Sequence, residues 1–253
     1  MRLGKRCPLR GGLILPLFLF LIWWLGAEHD WWNSFLLPSP ANVGLAFVSA
    51  VKAGELQTHV AASLLRITYG FCIAALLALT LALFCAWFPA LMRQLNPLME
   101  FLRHIPPISV VPILILWFGL GEAPKIILII LATFFPVFMN AQAGIKDCDR
   151  QLIEVGKVFR YSRWQIFRFI ILPSAIPEIL TGLRLGLGYS WRSLVAAELV
   201  AASSGLGYMI LNAEQLSRSD VVLMGIFVIG ALGAILDYGF RVAVRLSFRS
   251  INV

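Results

Sequence analysis

Three charged side chains interrupt the apolar stretch formed by residues 179–202: Arg184, Arg192 and Glu198. A guanidinium in apolar surroundings is costly unless it is paired or hydrated, and Glu198, six residues after Arg192, is expected on another face of the same helix. Arg192 therefore either meets a partner elsewhere, such as Glu198 of a second copy or a backbone carbonyl, or lines a hydrated pathway. In a pathway, its fork-shaped set of donors and its positive field favour a small anion.

The sequence lacks the residue patterns of common catalytic and metal sites. It contains no G-x-x-x-x-G-K-[ST] phosphate loop, so the chain itself is not expected to bind ATP in that manner. It also contains no Ser-His-Asp set, no H-E-x-x-H motif and no pair of carboxylates within the apolar runs. The four cysteines and three histidines are scattered, without metal-ligand or disulfide spacing. We therefore expect no enzyme activity, no cofactor and no metal on this chain.

The composition indicates the environment in which these side chains must be positioned. Hydrophobic residues make up 60% of the 253 residues, only 13% are charged, and the mean hydropathy is +0.85. A single soluble globule with a polar surface cannot be built from this composition, so we predict an all-α membrane protein with several spans. We assign the formal net charge of +8 to basic cytoplasmic loops rather than to nucleic-acid binding.

The chain is long enough for about six spans of roughly 20 residues each, which leaves no room for a second, soluble domain. We therefore predict one transmembrane domain over residues 1–253. In the fifth span, Gly182 and Gly186 form a G-x-x-x-G pattern that predicts close contact with another helix. The spans are expected at residues 12–27, 67–88, 105–120, 126–145, 179–202 and 221–244, with a cytoplasmic loop at residues 146–173.

Basic residues near the two ends of the chain predict its orientation. Because such residues mark cytoplasmic segments, we expect both termini in the cytoplasm. The first apolar run has the alternative interpretation of a cleaved signal peptide, but no small-x-small cleavage site follows it, and we favour a retained span. The basic residues are Arg2, Lys5, Arg6 and Arg10 before the first span, and Arg241, Arg245 and Arg249 at the end of the last.

Three prolines fall within the expected third span: Pro106, Pro107 and Pro112. Each proline removes a backbone donor and disturbs a helix. The element is therefore either a kinked packing helix or a broken one whose free backbone groups are covered by protein or line a cavity. In the second case, Pro107 and Pro112 are candidates to border a pathway.

The only long polar-patterned segment between apolar ones covers residues 151–173. Its first part has apolar residues at helical spacing, and Asp149 can cap the resulting helix. Ser162 and Gln165 form an S-x-x-Q capping box, which predicts a second helix that ends at Pro173. Two short helices joined by a tight turn and rich in basic and aromatic side chains are too polar to lie within the bilayer, but they are well suited to bind a partner protein.

This segment resembles the signature loop of binding-protein-dependent ABC importer permeases, which reads E-A-A, three residues, Gly, nine residues, Ile-x-Leu-Pro. Glu154 occupies the position of the Glu, and Pro173 ends the Ile-x-Leu-Pro element at the expected spacing. Val155 and Gly156 replace the alanines, and Arg160 replaces the glycine. If Arg160 takes the left-handed conformation of that glycine, the strain is about 1 kcal/mol.

A second stretch, residues 103–126 (RHIPPISVVPILILWFGLGEAPKI), closely resembles the corresponding region of the nitrate, sulfonate and taurine branch of these permeases. The resemblance covers nearly the whole chain. It implies the type I ABC importer permease fold, a bacterial inner-membrane location, and a homodimer whose pathway lies between the copies. It also implies two separate partners: a cytosolic ATPase dimer that uses the ATP, and a periplasmic or lipid-anchored binding protein that delivers the substrate.

The resemblance also implies roles for residues of the polar segment. Glu154 would orient the docking helix, and Pro173 would fix the exit angle of the chain. Phe159 and Trp164 would fill pockets on the ATPase. In an alternative interpretation, Glu154 only favours its helix N-terminus and the two rings rest on the lipid interface. The full set of candidate docking residues is Glu154, Gly156, Phe159, Ser162, Trp164 and Pro173.

Relatives in this branch carry sulfonates, taurine and nitrate, so the resemblance implies a small anion, and we favour an alkanesulfonate or taurine. An ion-coupled secondary carrier, with Arg184, Arg192 and Glu198 as coupling groups, is the main alternative, but the two halves of the sequence show no convincing repeat. A membrane scaffold protein would not explain a broken third span. The candidate pathway residues are Arg192, Glu198, Pro107 and Pro112.

Overall fold

The computed structural model describes residues 14–247. This part of the chain contains helices and no strand, so the predicted all-α class is confirmed. Residues 1–13 and 248–253 lie outside it, and with them the N-terminal basic residues, the start of the first expected span and Arg249. The α-helices are α1 (Ile14–Glu28), α2 (Pro40–Lys52), α3 (Glu55–Trp87), α4 (Pro89–Leu102), α5 (Val111–Phe118), α6 (Glu122–Lys146), α7 (Arg150–Val158), α8 (Arg163–Ile166), α9 (Leu172–Ala201), α10 (Leu206–Gln215) and α11 (Ser219–Ser247).

Within residues 14–247, four helical stretches are long and apolar enough to cross a membrane. They are α3, α6, α11 and the stretch Arg163–Val200, in which α8 continues into α9. With its 33 residues, α3 is about 50 Å long and begins at Glu55, well before the start expected at residue 67. Its first turns are polar, which is why hydropathy placed the start too late. The described part of the apolar helix α1 comprises 15 residues.

The central layer of the molecule is formed by α3, α6 and α9, and α6 packs most extensively on α9. Gly182 and Gly186 of α9 face α6 with almost no space between the backbones. A Cβ atom at Gly182 would lie 2.7 Å from the Asn140 Cβ, and one at Gly186 would lie 2.9 Å from a Val137 methyl group. The close contact predicted from the G-x-x-x-G pattern is therefore confirmed, and it sets how near the two helices approach.

The peripheral helices close one side of this layer. In α1, the Trp23 indole N–H donates to the Pro38 carbonyl at 3.1 Å, and its ring stacks on Phe227 of α11 with the centroids 5.7 Å apart. Most other side chains of α1 are exposed. Further along the chain, α2 and α10 pack against α11. The first helix is thus held to the rest by few contacts, as expected of an element that lies mainly in lipid.

The expected third span at residues 105–120 is not a single helix. Instead α4 ends at Leu102, a 3-10 helix covers Pro107–Val110, and α5 ends at Phe118. The two arms meet at an angle of 86°. Pro106 and Pro107 lie at this bend, where an α-helix would need the backbone donors that prolines lack. Of the two interpretations given for this element, a kinked packing helix or a broken one, the structure supports the broken one.

The second helix of the polar segment does not end at Pro173. It starts at Arg163 as expected but continues through a π-helical turn, Phe167–Ile171, into α9. A proline inside an α-helix clashes with the carbonyl four residues earlier, and the wider π-helical turn directly before Pro173 accommodates it. The polar segment and the longest stretch of the central layer are therefore one continuous helix.

Candidate functional site

The first part of the candidate site is the turn between α7 and α8. At the N-terminus of α7, before this turn, Asp149 caps the helix by accepting a hydrogen bond from the Gln151 backbone N–H at 2.8 Å, as predicted. At its end, Arg160 has a φ of 58°, the left-handed conformation expected for a residue in place of glycine. The Tyr161 N–H donates to the Gly156 carbonyl at 3.0 Å and thereby completes a Schellman cap. The strain of about 1 kcal/mol at Arg160 is thus offset by a regular helix end.

The turn is fixed on its far side by the capping box. The Ser162 N–H donates to the Gln165 side chain at 2.8 Å, and the Gln165 N–H donates to the Ser162 hydroxyl at 3.3 Å. Gly156 is buried, and a Cβ atom there would lie 2.6 Å from Cδ1 of Ile170. Gly156 therefore lets α7 pack closely against the π-helical turn.

The outer face of α7 is apolar and exposed. Glu154 also lies on α7, and its side chain is exposed. It makes no salt bridge with any residue in the range 14–247. Isolated exposed apolar side chains are common, but a contiguous group on one short helix marks an interaction surface. This group, called the docking surface below, consists of Leu152, Val155, Val158 and Phe159, with exposures of 48%, 50%, 80% and 69%.

Trp164 has a partner in its own chain. Its ring stacks on Trp87, the last residue of α3, with the centroids 5.7 Å apart. Phe167 packs against the same Trp87 at 5.1 Å. Because about half of Trp164 remains exposed, it can contact a partner as well, but its first role is to hold the start of α8 against the end of α3.

The second part of the candidate site surrounds Arg192. This side chain is exposed, makes no salt bridge within residues 14–247, and lies with its guanidinium carbon 5.8 Å from the centre of the Tyr189 ring. It lines two neighbouring cavities, one on either side of α9. In a single chain, Arg192 therefore lines open space.

Cavity 1, of about 730 Å³, lies between the broken third element, α6 and α9. Its wall is mainly apolar, with few polar groups, and its volume suits a small ligand. Pro107 lines this cavity, as expected, whereas Pro112 is exposed elsewhere and does not. The polar or charged lining residues are Arg103, His104, Asn140, Tyr189, Arg192 and Ser193.

Cavity 2, of about 560 Å³, lies between α9 and α11 and is strongly basic. The Arg184 guanidinium forms a two-point contact with Asp237, at 2.7 and 3.1 Å, and Arg241 reaches the same carboxylate at 3.2 Å. Arg192 and Arg245 also line the cavity. Sequence reasoning missed Asp237, although an acidic residue within an apolar run was a usable signal.

The sequence of this chain matches a known family of transport proteins. The profile described as "binding-protein-dependent transport system inner membrane component" matches residues 78–246, more than half of the chain. The chain belongs to this permease family. The permease is thus a transport subunit of a multi-pass membrane complex rather than an enzyme, and the family implies a binding protein, an ATPase and dimerisation. The alternative of a self-sufficient secondary carrier is thereby wrong.

Curated relatives match nearly the full length of the permease. It is 39% identical to the taurine transport system permease protein TauC of Escherichia coli (strain K12), over 96% of this chain and 92% of that protein. It is 37% identical to the putative aliphatic sulfonates transport permease protein SsuC of Bacillus subtilis (strain 168), over 95% and 87% respectively. The predicted type I fold is confirmed by similarity to a solved amino acid ABC transporter, with a TM-score of 0.64 at 17% identity over 81% of this chain and 98% of that one.

Glu198 does not lie on the cavity side of α9, so its assignment to the pathway is wrong. It is fully buried, receives an N–H of Arg66 at 2.8 Å and the Ser63 hydroxyl at 2.8 Å, and accepts from the Gly207 backbone at 3.0 Å. With these partners in its own chain, Glu198 is not available to Arg192 of a second copy. This partner could not be recognised from sequence spacing because Arg66 is 132 residues away.

Arg66 is the centre of a buried polar cluster in the permease. It donates to both carboxylate oxygens of Glu122, at 2.6 and 2.8 Å, and to the Ser204 carbonyl at 2.6 Å. Lys125, itself buried, donates to Glu122 at 2.8 Å. Because the partners come from α3, α6, α9 and the loop before α10, the cluster ties these elements together at the end of the molecule opposite to α7. None of Ser63, Arg66, Glu122 or Lys125 was identified from the sequence.

Proposed function

We propose that this permease is the membrane subunit of an ABC importer for a small organic anion, an alkanesulfonate or taurine, and that two copies enclose the pathway. The observation that carries the proposal is Arg192, a guanidinium that makes no salt bridge within residues 14–247 and lies between two cavities in the second half of a long apolar helix. The names of the two sulfonate and taurine relatives support the choice of substrate.

The position of the pathway follows from the cost of charge in lipid. Arg192 lies 20 residues after Leu172, about 30 Å along the helix, and Arg184 and Asp237 lie beside it on α9 and α11. Half-exposed charged side chains at this depth are too costly to face hydrocarbon. The cavity side of α9 and α11 therefore faces water or a second copy, and a homodimer that meets there provides both.

The chemistry of cavity 1 suits a sulfonate. A guanidinium offers parallel donors that match two oxygens of an anionic group, and the hydroxyls and amides of Tyr189, Ser193 and Asn140 supply further polar contacts. The apolar remainder of the wall accommodates a short alkyl chain. Nitrate would use the same guanidinium but would leave the apolar wall unoccupied, so we favour the alkyl anions.

The driving force would come from a separate ATPase that binds the docking surface. ATP is used by that partner, and this chain binds no cofactor of its own. Because α8 continues into α9, a displacement of α7 and α8 is transmitted directly to the helix that carries Arg192. If the ATPase pushes the α7 ends of the two copies together, the pathway between the copies would open at one end and close at the other, in alternation.

The proposed orientation places α7 in the cytoplasm of a bacterial cell. With the docking surface on that side, the ends of α3, α6 and α11 that lie near it are cytoplasmic, as are both chain termini. The buried polar cluster then lies toward the periplasm, where a binding protein delivers the substrate. Basic residues at the end of α11, such as Arg241 and Arg245, are consistent with this orientation.

Substitution of Arg192 tests the proposal. In proteoliposomes that contain the permease, its ATPase and its binding protein, Arg192→Gln is expected to abolish uptake of radiolabelled taurine and ethanesulfonate. Arg192→Lys keeps the charge but loses the fork of donors, so it should retain part of the uptake. Basal ATP hydrolysis and the assembled dimer should survive in both. Unchanged uptake by the Gln variant, or loss of the assembled dimer in both variants, would contradict an anion-binding role.

A further inference from the structure

We propose that Asp237 is a built-in competitor that keeps a second anion site, formed by Arg184 and Arg241 in cavity 2, at low affinity. This inference rests on the proposed function, since it assumes that an anion reaches Arg192. In this arrangement the Asp237 carboxylate occupies the two guanidinium groups when no anion is present. An arriving sulfonate must displace the carboxylate, so it binds weakly and leaves readily.

The geometry of the three side chains carries the inference. Arg184 holds Asp237 by two parallel N–H donors, at 2.7 and 3.1 Å, which is the contact that a guanidinium also makes with a sulfonate. Arg241 approaches Oδ2 of the same carboxylate, an oxygen that Arg184 also contacts, at 3.2 Å. Between 40% and 48% of each of the three side chains is exposed, so an anion in cavity 2 can reach them.

The charges that line cavity 2 do not balance. Four arginines and one aspartate line it, so Asp237 neutralises only part of the positive charge. The remaining excess attracts anions into the cavity. Arg192, in contrast, has no carboxylate partner within residues 14–247, so an anion binds there without having to displace one. The two positions therefore differ in affinity for a physical reason: only one is occupied in advance.

The order of the arginines gives this difference a direction. Arg184 lies eight residues before Arg192 on α9, about 12 Å nearer to α7, and Arg241 and Arg245 continue the series toward the same end of the molecule. An anion that leaves Arg192 toward the ATPase side thus passes Arg184 and Arg241. With Asp237 in place this passage does not retain the anion, and release into the cytoplasm is fast.

The test is the substitution Asp237→Asn, which removes the negative charge and nearly keeps the shape. Binding of radiolabelled ethanesulfonate to the purified permease–ATPase complex, without binding protein, should become about fivefold tighter. A factor of about five in affinity corresponds to the upper end of the interaction energies of exposed ion pairs. In proteoliposomes, both KM and kcat for uptake should fall, because release becomes slower. Asp237→Glu retains the carboxylate and is expected to keep affinity within the wild-type range.

A matched control is available on the same helix. Asp220 pairs with Arg218 at 2.8 Å near the start of α11 and lines neither cavity 1 nor cavity 2, so Asp220→Asn should leave binding and uptake unchanged. An equal tightening in this control would show a non-specific effect of charge and would overturn the proposal.

Two further outcomes would also overturn it. If Asp237→Asn leaves ethanesulfonate affinity unchanged and instead increases the amount of co-purified anionic phospholipid, cavity 2 is a lipid site. If Asp237→Asn fails to assemble while Asp237→Glu assembles, Asp237 serves helix packing alone. The proposed function fails separately, since it predicts loss of uptake in Arg192→Gln whatever Asp237 does.

Discussion

At the scale of single residues, charged groups in this permease divide into two kinds. Arg66 and Glu198 are almost completely shielded from solvent and satisfy each other, whereas Arg192 is exposed to two cavities and has no ionic partner within residues 14–247. Removal of one member of a buried pair leaves an uncompensated charge, which costs far more than the pair contributes as a whole. Substitution of a buried, paired residue such as Glu198 should therefore lower the stability of the fold. Substitution of Arg192 should instead lower the rate of transport.

Glu198→Ala tests the first kind. The variant leaves the Arg66 guanidinium buried with a single carboxylate partner, Glu122, and should lower the free energy of unfolding by about 3–5 kcal/mol. The measurement is thermal unfolding of the purified complex in detergent. As a control, Glu100→Ala removes an exposed carboxylate that pairs with Arg103, and it should cost less than about 1 kcal/mol. Equal costs for the two variants would contradict the buried cluster.

The left-handed residue of the docking turn gives a second prediction at this scale. Arg160→Gly removes the Cβ that is strained at a φ of 58°, whereas Arg160→Val adds a β-branched side chain there. We expect the Val variant to be less stable than the Gly variant by at least about 1 kcal/mol, as measured by thermal unfolding. A comparison of Val158→Gly with the wild type measures the cost of a glycine at the last residue of α7. Equal stability of the two Arg160 variants would mean that the turn has another conformation.

At the scale of elements, α3 and α9 are joined at both ends. Near α7, Trp87 at the end of α3 stacks on Trp164, which lies on the helix that continues into α9. At the opposite end, Arg66 of α3 binds Glu198 of α9. Two long helices fixed to each other at both ends move as one body, so a displacement of the docking surface reaches the far end without being lost in bending.

Trp87→Ala tests this mechanical link. The variant removes the stack under Trp164 but leaves the docking surface and both cavities intact, so ATP hydrolysis should persist while the amount of taurine transported per ATP falls severalfold. Trp87→Phe keeps an aromatic ring and should restore most of the coupling. Trp31→Ala, at an exposed tryptophan between α1 and α2, is the control that should change nothing. An unchanged ratio of transport to hydrolysis in Trp87→Ala would exclude the link.

The helices and turns also show which structural features could be predicted from the sequence and which could not. Caps and turns are local, so Asp149, the Ser162 capping box and the left-handed Arg160 could be predicted from neighbouring residues. Gly182 and Gly186 predicted a close contact, although not the partner helix. The continuation of the helix through Pro173 could not be predicted, because it depends on a π-helical turn that local propensity does not reveal. The buried cluster was missed because its members meet only through tertiary structure.

At the scale of the whole molecule, the described residues 14–247 leave both the apolar docking surface and the charged side of α9 and α11 exposed in one chain. They are connected by a continuous helix, Arg163–Val200. A complex in which an ATPase covers the first surface and a second copy approaches the second accounts for both. In this complex, the Arg192 side of α9 is proposed to line a hydrated, anion-attracting pathway.

The most direct test measures water and charge beside Arg192. Ala196 lies one turn after Arg192 and lines cavity 1, so Ala196→Cys places a thiol in the proposed pathway. In the assembled complex, this thiol should react with the anionic reagent sulfonatoethyl methanethiosulfonate faster than with a cationic analogue. The ratio of the two rates should fall about tenfold when Arg192→Gln is added, because the guanidinium one helical turn from the thiol is then removed. The native Cys72, exposed on α3 and expected to face lipid, should stay unreactive. No reaction at position 196, or a rate ratio that is unchanged by Arg192→Gln, would contradict the account.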